Sequence, residues 1–481
     1  MSRKVKPKLA SAFGNEEKLY LVKAILLIVG IYVFQDFIYD YWKYLALFLP
    51  GFFIMYLWFM SIYTGDRFYD LLKEQITLMP IPYAEGGKKV FIPLATIVLI
   101  LANVLIYYIF QKPSITNNEF IAANFTFLPD TVTWWNLLIS PFSSMFLHAD
   151  AGHLWGNMFF LWAFGPAVEE RLGAKKFVSL YLITGFLGDS IALFVKFFIL
   201  SKSYHAWGAS GAISGTMGVF MIRCYFKKLV IPIPLLGLVN LKLRINSLLP
   251  LGFFFLRDLS GGFKQLVGSN SRIGYWAHVG SMVVGIILAA RLKLHRDAAE
   301  EKYTEDGIAG VEDQVYGIDG EGQLLKALAL NPKNETALLA MARLKARKRL
   351  RQGMELFQQV IYLALRSDPK RAAKIYIEYF SIYKRMLEPD LEYRLSGIFY
   401  SQGENKKAIR SLEMVVDEPS TKEATRERAF FQLISVLAEN RQIEGAQFRL
   451  RQFGETFPQS TLLQRAREIS NKDSKRTVNK T

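Results

Sequence analysis

Cysteine is almost absent from this chain, since Cys224 is the only one in 481 residues. A single cysteine excludes an internal disulfide framework, a cysteine-based zinc finger and a CxxC redox site. Charge is also scarce over the first 292 residues, because 60 of the 101 charged residues lie in 293–481. The chain therefore divides into an apolar N-terminal part and a charged, soluble C-terminal part.

The composition indicates a membrane protein. Hydrophobic residues make up 51% of the chain, and the mean hydropathy is +0.17. The net charge is +17, which could indicate binding to nucleic acid. In 293–481, however, basic residues are interleaved with acidic ones, and positive charge beside membrane spans accounts for the rest of the net charge. We therefore predict no nucleic-acid partner.

Apolar stretches long enough to cross a bilayer as helices recur along the first 292 residues. About 20 residues are needed for one span. Residues 229–241 contain Pro232 and Pro234, so we predict an interfacial segment there and a short span after it. In all, we predict about eight spans, at 19–38, 44–63, 90–111, 151–168, 177–200, 204–226, 245–260 and 273–290.

Lysine and arginine are unevenly divided between the loops of this arrangement. The long 112–150 loop has Lys112 as its only basic residue, whereas the segments predicted on the opposite side are rich in Lys and Arg. Because basic loops stay in the cytoplasm, both termini are predicted there. The basic N-terminus lacks a cleavage site of the A-x-A type and leads into an apolar stretch, which indicates an anchor. We expect a multi-pass protein in contact with membrane lipid, in a bacterial inner membrane.

The C-terminal part shows apolar residues at helical spacing. The turn Asn331-Pro332 recurs as Asp368-Pro369 after 37 residues. Helix pairs at such a period predict a repeat domain of the tetratricopeptide type over 321–470, with an irregular helical bundle as the alternative. Such a domain implies a protein partner. We predict a flexible, glycine-containing linker at 293–320 and a basic tail at 471–481.

Four polar residues stand out in the predicted spans, where polar groups are costly. They are His153, Asn157, Ser210 and His278, and each falls within about two turns of the outer end of its span. A serine becomes a useful nucleophile beside a base, and histidine suits that role. Asn157, His153 and the Ser210 backbone N–H would supply donors to an oxyanion. No acidic third member of such a group is evident.

Small residues surround the predicted nucleophile. Gly208 and Gly211 leave room for another backbone to approach Ser210 closely. The segments 211–215 and 281–285 each carry small residues four apart, so the two helices that hold Ser210 and His278 are predicted to touch. A G-x-S-x-G nucleophile elbow is excluded, because position 212 is Ala and the context is a long apolar helix.

These residues resemble a known family. The motifs His153-x-x-x-Asn157, Gly208-Ala209-Ser210-Gly211 and Ala277-His278, in three helices in that order, are similar to those of the rhomboid intramembrane serine proteases, and 167–173 and His148 also match. The resemblance implies an all-α, six-helix core and a Ser210–His278 dyad with an oxyanion hole at His153, Asn157 and the Ser210 amide. It also implies cleavage of single-pass membrane proteins, without a metal or cofactor.

The chain departs from the family pattern at three places. Ser214 stands where some members carry a tyrosine that packs on the histidine, so something else must orient His278. The family's Trp-Arg is Trp135-Asn136 here, and Ser281 replaces a glycine. Asp189 lies within the 177–200 span, and we assign it no catalytic role.

Together these observations predict an intramembrane serine endopeptidase. The predicted domains are a region at 1–88 with two additional membrane helices, a protease core at 89–292, and the linker, repeat domain and tail above. Two alternatives remain open. One is a non-catalytic scaffold that binds transmembrane helices and soluble partners, and the other is a transporter using Asp189 and the histidines as a proton path.

Overall fold

The structure is a computed structural model that divides into two units, residues 1–298 and 299–481. It describes residues 54–62, 91–111, 134–195, 207–236, 239–269, 273–312 and 317–478, and short pieces at 67–69, 72, 76–77, 83–84, 125–126, 198–199 and 271. Helices dominate both units, so the predicted all-α class is confirmed. The predicted span 19–38 lies outside the described residues, as do parts of 1–88 and of the 112–150 loop. Residues 54–62, within the predicted span 44–63, are helical.

The first unit contains seven helices that enclose the predicted site residues within the described ranges. The first of them continues as a π-helix over Ile106–Gln111, and a short 3-10 turn, Ser144–Phe146, follows the second. Their bounds are α1 Leu94–Leu105, α2 Trp134–Ser143, α3 Ala151–Leu172, α4 Ala174–Val195, α5 Ser210–Arg223, α6 Leu248–Leu266 and α7 Tyr275–Arg291.

Two helices in the described residues are long and apolar enough to cross a membrane, namely α1 with its π-helical extension and α4. A third is added if α7 and the helix that follows it after a sharp bend are counted as one span. These helices match the predicted spans 90–111, 177–200 and 273–290. α3 is 22 residues long, but His153 and Asn157 lower its hydropathy, and α5 is shorter than its predicted span.

The segment 229–241, predicted to be interfacial, is part of a β-hairpin. Strands β3 (Lys228–Leu236) and β4 (Val239–Asn246) pair antiparallel, and β1 (Ile76–Thr77) and β2 (Tyr83–Ala84) complete a sheet of order β1-β4-β3-β2. Apolar residues alternate with polar ones over 241–246, which is the strand period of two. The prediction of 245–260 as a span is also shifted, since α6 begins at Leu248.

The helices that carry the predicted nucleophile and base pack backbone to backbone. A Cβ on Gly218 of α5 would lie 2.2 Å from the Met282 carbonyl oxygen of α7, and one on Gly285 would lie 2.2 Å from the Gly215 oxygen. α4 approaches α5 equally closely, because a Cβ on Gly215 would meet the Thr184 hydroxyl. The predicted contact through 211–215 and 281–285 is therefore confirmed.

The second unit is helical throughout its described residues. Its helices are α8 Leu294–Val311, which begins in the first unit, α9 Gly320–Leu330, α10 Glu335–Arg347, α11 Arg351–Ser367, α12 Pro369–Tyr383, α13 Pro389–Ser401, α14 Asn405–Asp417, α15 Glu423–Glu439, α16 Ile443–Thr456 and α17 Thr461–Val478. The apolar residues at helical spacing in the C-terminal part do lie in helices. α10, α12, α14 and α16 begin at 335, 369, 405 and 443, which fits stacked helix pairs, while their tetratricopeptide type stays a prediction.

The linker prediction for 293–320 is wrong over most of its length, because α8 occupies Leu294–Val311. Gly307 and Gly310 serve close packing and do not loosen the chain. A Cβ on Gly307 would lie 2.7 Å from the Leu324 side chain, and one on Gly310 would lie 2.7 Å from the Gly320 Cα. The glycines therefore let α8 and α9 approach each other.

Candidate active site

Ser210 is the first residue of α5, and the turn before it fixes its position. Gly208 has a φ of +133°, which a side-chain-bearing residue rarely adopts, and its N–H donates to the Ser144 carbonyl at 2.8 Å. A Cβ at Gly208 would lie 2.8 Å from the His153 ring. Glycine is therefore required here both for backbone conformation and for the approach of His153 to the serine.

His278 reaches Ser210 from the neighbouring helix. Its Nε2 lies 2.8 Å from the Ser210 Oγ, although the two residues are 68 positions apart in the chain. The glycine contacts between α5 and α7 bring the two backbones close enough for this bond. The structure thus brings together the predicted nucleophile and the predicted base.

His153 and Asn157 lie one turn apart on α3, on the wall that faces Ser210. Asp150 caps this helix by accepting the His153 N–H at 2.8 Å. Both residues line a cleft of about 310 Å³ together with Ser210 and His278. Asn157 is 7% exposed, and its Nδ2 has no hydrogen-bond partner among the residues that the structure describes. An amide donor without an acceptor beside a serine nucleophile is what an oxyanion site requires.

His148 supports this wall of the cleft from behind. Its ring is fully buried and contacts the His153 ring edge to face, with 5.2 Å between the centroids. Gln111 anchors the His148 backbone, because its Oε1 accepts the His148 N–H at 3.0 Å and its Nε2 donates to the His148 oxygen. The π-helix that ends at Gln111 therefore holds the loop that leads into α3.

The statement that no acidic third member exists is wrong, because Asp258 of α6 contacts His278. Its Oδ2 lies 2.8 Å from the His278 Nδ1, on the side of the ring opposite Ser210. The sequence held a signal for it, since a carboxylate within an apolar helix and beside Arg257 is costly and needs a partner.

The remaining predicted features lie around this group. Ser214 and Met282 line the cleft one turn beyond Ser210 and His278. Ser281 is fully buried against Gly188 of α4. A Cβ on Gly211 would lie 3.4 Å from the Asp189 Oδ1, which places Asp189 behind α5. The side chains of 135–138 lie outside the described residues, so the Trp135-Asn136 departure has no structural account.

The geometry agrees with comparisons to known proteins. The family model of the Rhomboid domain matches residues 132–294. The chain is 28% identical over 240 residues to Rhomboid protease GluP of Bacillus subtilis, a match that covers 49% of this chain and 41% of GluP. It is 29% identical over 170 residues to RHOMBOID-like protein 6, mitochondrial, of Arabidopsis thaliana, covering 35% of this chain and 47% of that protein.

A third relative is matched over most of its length. The chain is 32% identical over 207 residues to Putative rhomboid protease YdcA of Bacillus subtilis, which covers 41% of this chain and 87% of YdcA. The match to GluP, by contrast, spans about two fifths of that relative. From the site geometry, the family model and the match to YdcA, we conclude that this chain belongs to the rhomboid family.

Proposed function

We propose that this protein is an intramembrane serine endopeptidase that cleaves single-pass membrane proteins in or near their transmembrane segments. One observation carries the proposal, namely the 2.8 Å separation between the Ser210 Oγ and the His278 Nε2 in a cleft that also holds the Asn157 amide. The names of the relatives, which describe rhomboid proteases, support the same activity.

The chemistry follows from this pair. The His278 Nε2 takes the Ser210 proton while the Oγ bonds to the substrate carbonyl carbon, and the carbonyl oxygen becomes an oxyanion. The proton then passes to the leaving amine as the peptide C–N bond breaks, which leaves an acyl-enzyme. A water gives its proton to His278, attacks the ester carbon, and releases Ser210 with its proton restored.

Three donors would stabilise the oxyanion. The Ser210 N–H opens α5, and the first N–H groups of a helix have no acceptor within it. Within the described part of the chain the Asn157 Nδ2 is buried without a partner, and the His153 ring lies at the wall between Gly208 and the cleft. Removal of one such donor lowers kcat by about 10²- to 10³-fold in other serine proteases.

The short length of α5 supports hydrolysis inside the membrane with water supplied from one side. α5 has 14 residues and is about 21 Å long, whereas the hydrocarbon core is about 30 Å thick. A helix of this length cannot cross the core, so we propose that its N-terminus with Ser210 lies below one membrane surface, where water can reach it. The distribution of Lys and Arg favours an orientation in which Ser210 lies toward the outer side of a bacterial inner membrane. Both termini then lie in the cytoplasm.

We propose separate roles for the domains. Residues 89–292 carry the protease, and 321–470 form a helical-repeat domain that binds a protein partner. Residues 1–88 contribute two further membrane helices, and 471–481 add a basic end. In the alternative, the protein is a non-catalytic scaffold. The same core then binds transmembrane helices and the same repeat domain binds soluble partners, but no peptide bond is cleaved.

A reconstituted cleavage assay tests the proposal. The protein is placed in liposomes with a single-pass reporter whose transmembrane helix is weakened, and Ser210→Ala and His278→Ala are compared with wild type. We expect each variant to lower the cleavage rate by at least about 10³-fold. Ser179→Ala, which removes an exposed hydroxyl bonded to the Lys175 oxygen, and His295→Ala are the matched controls. If wild type and both site variants are equally silent, the scaffold becomes the better account.

A further inference from the structure

The carboxylate of Asp258 lies against the catalytic histidine although nothing in the family resemblance assigns it a role. It comes from α6, a different helix from those of Ser210 and His278. Asp258 is 5% exposed, and its Oδ2 lies 2.8 Å from the His278 Nδ1. The imidazole is therefore held at both nitrogens, by the serine on one side and by the carboxylate on the other.

The second oxygen of Asp258 is also occupied. The neighbouring Arg257 donates to the Oδ1 from its Nε at 3.0 Å and from its Nη2 at 2.7 Å. The guanidinium in turn lies over the Phe254 ring, 4.5 Å from its centroid. Because both oxygens have partners, the carboxylate has a fixed orientation, and the adjacent cation offsets the cost of its burial.

His278 needs such a partner in this chain. The χ2 torsion of histidine has a broad distribution of values, so the ring does not hold one orientation by itself. The neutral ring also has two tautomers, and only the one with its proton on Nδ1 leaves the Nε2 lone pair free for the Ser210 proton. A carboxylate accepts and cannot donate, so a carboxylate at Nδ1 selects this tautomer.

We propose that Asp258 is a positioning residue that completes a Ser210–His278–Asp258 triad where the family resemblance implies a dyad. Ser214, one turn beyond Ser210, has no ring that could pack on His278, and Asp258 holds His278 from another helix. When His278 gains the Ser210 proton, the carboxylate stabilises the imidazolium and remains ionised itself. This inference rests on the proposed function, because it concerns the same serine and histidine.

Kinetics of variants at position 258 test the triad in the full-length protein in liposomes. Asp258→Asn places an amide N–H toward Nδ1, which favours the wrong tautomer, so we expect kcat to fall about 10²- to 10⁴-fold. KM should change less than about threefold, since the lost interaction matters only when the proton moves. Asp258→Ala leaves the tautomer free and should retain more activity than Asn. Asp258→Glu should recover part of the rate.

Lys264→Gln is the control, because it removes an exposed charge from the same helix away from the cleft. Melting temperatures of all variants are measured in parallel. If Asp258→Asn and Asp258→Ala keep kcat within about threefold of wild type, the triad is overturned. The triad is also overturned if the three variants, Glu included, lose kcat in proportion to their melting temperatures, because that outcome assigns Asp258 a structural role.

Ser210→Ala separates failure of the triad from failure of the proposed function. One outcome is that wild type and the Asp258 variants cleave at the same rate whereas Ser210→Ala does not cleave. In that case the protein is a protease that uses only the Ser210–His278 dyad. When wild type neither cleaves the reporter nor reacts with a fluorophosphonate at Ser210, the protease itself is refuted, and the triad falls with it.

Discussion

The two units of this protein hold their helices together by different means. In the first unit α5 and α7 meet at glycines, where a single added methyl on Gly285 would lie 2.2 Å from a backbone oxygen. In the second unit, buried apolar side chains pack between the helices, and charged side chains also join helices about one repeat apart. Arg343 bonds to Glu378, Arg371 to Glu335 and Arg449 to Asp417. Lipid removes the hydrophobic drive between membrane helices, so close packing must replace it.

Several buried polar side chains of the first unit lie in hydrogen-bonded groups that link helices. Ser210, His278 and Asp258 form one such group, and Arg257 donates to the other oxygen of Asp258. Glu169 of α3 accepts from the Thr96 backbone N–H and hydroxyl of α1 in another. Because a buried polar group is costly to leave unpaired, close-packed helices need such partners.

The largest difference between the units is expected when one glycine in each is replaced by alanine, which adds a single methyl group. Gly285→Ala would force its Cβ against the Gly215 oxygen, so α5 and α7 must separate, and overpacking of this kind costs about 1–3 kcal/mol or more. We expect a lower melting temperature and loss of cleavage, because the Ser210–His278 bond depends on that contact. Thermal unfolding in detergent and the reporter assay measure both.

Gly397→Ala in α13 is the matched substitution in the second unit. The nearest atom to its added Cβ is the Gln432 Nε2 at 3.9 Å, so the gain in helix propensity should stabilise α13 by about 0.5–1 kcal/mol. Slower hydrogen exchange of α13 in the full-length protein is the expected result. Equal destabilisation by both substitutions would contradict the contrast between the units.

The next effect concerns a buried carboxylate in the second unit. Glu392 is fully buried, accepts the Leu387 N–H at 3.1 Å and is hydrogen-bonded to the Tyr376 hydroxyl. Glu392→Ala would leave both donors unpaired, so we expect a loss of about 2 kcal/mol. Hydrogen exchange of α12 and α13 should rise about 30-fold. Glu355→Ala, at an exposed ion pair in the same unit, should change exchange little.

A smaller effect is expected from pH at the same residue. Burial raises the pKa of Glu392 above its usual value of 4.5. Because the folded state then binds the proton more tightly, this group favours folding below about pH 4.5, and the contribution is lost as pH rises through the raised pKa. Glu392→Gln removes the titration. The stability difference between wild type and Glu392→Gln should therefore move against wild type as pH rises from 4 to about 7.

The smallest effect is expected from a surface ion network. Arg343 bridges Glu312 and Glu378, but its side chain is about a third exposed. Solvent screening therefore limits the loss in Arg343→Ala to about 1 kcal/mol or less. The loss should shrink further in about 1 M salt, where the Debye length is about 3 Å. A loss that does not depend on salt would indicate that the arginine stabilises by packing.

Some of this architecture follows from local sequence patterns. Ser210, His278, His153 and Asn157 each lie in a short motif within an apolar helix, so their separate positions and similar depth could be inferred. The repeat helices follow from apolar spacing and from turns such as Asn331-Pro332. Such features depend on residues within about ten positions of one another.

Other features depend on contacts that no local pattern encodes. Asp258 is 20 residues from His278 on another helix, and only packing of α6 against α7 brings the two together. The sequence does not predict the hairpin, because Pro232 and Pro234 argue against a central strand, although both lie within a paired strand. Gly307 and Gly310 predict a flexible linker, whereas in the structure they let α8 contact α9.

Covalent labelling shows whether His278 activates Ser210. Wild type and His278→Ala, both in liposomes, are treated with a fluorophosphonate, and the modified residue is identified by mass spectrometry. We expect a label on Ser210 in wild type and a reaction at least about 10²-fold slower in His278→Ala, because general base catalysis supplies about that much of the rate. Equal labelling rates, or a label on another serine, would contradict it.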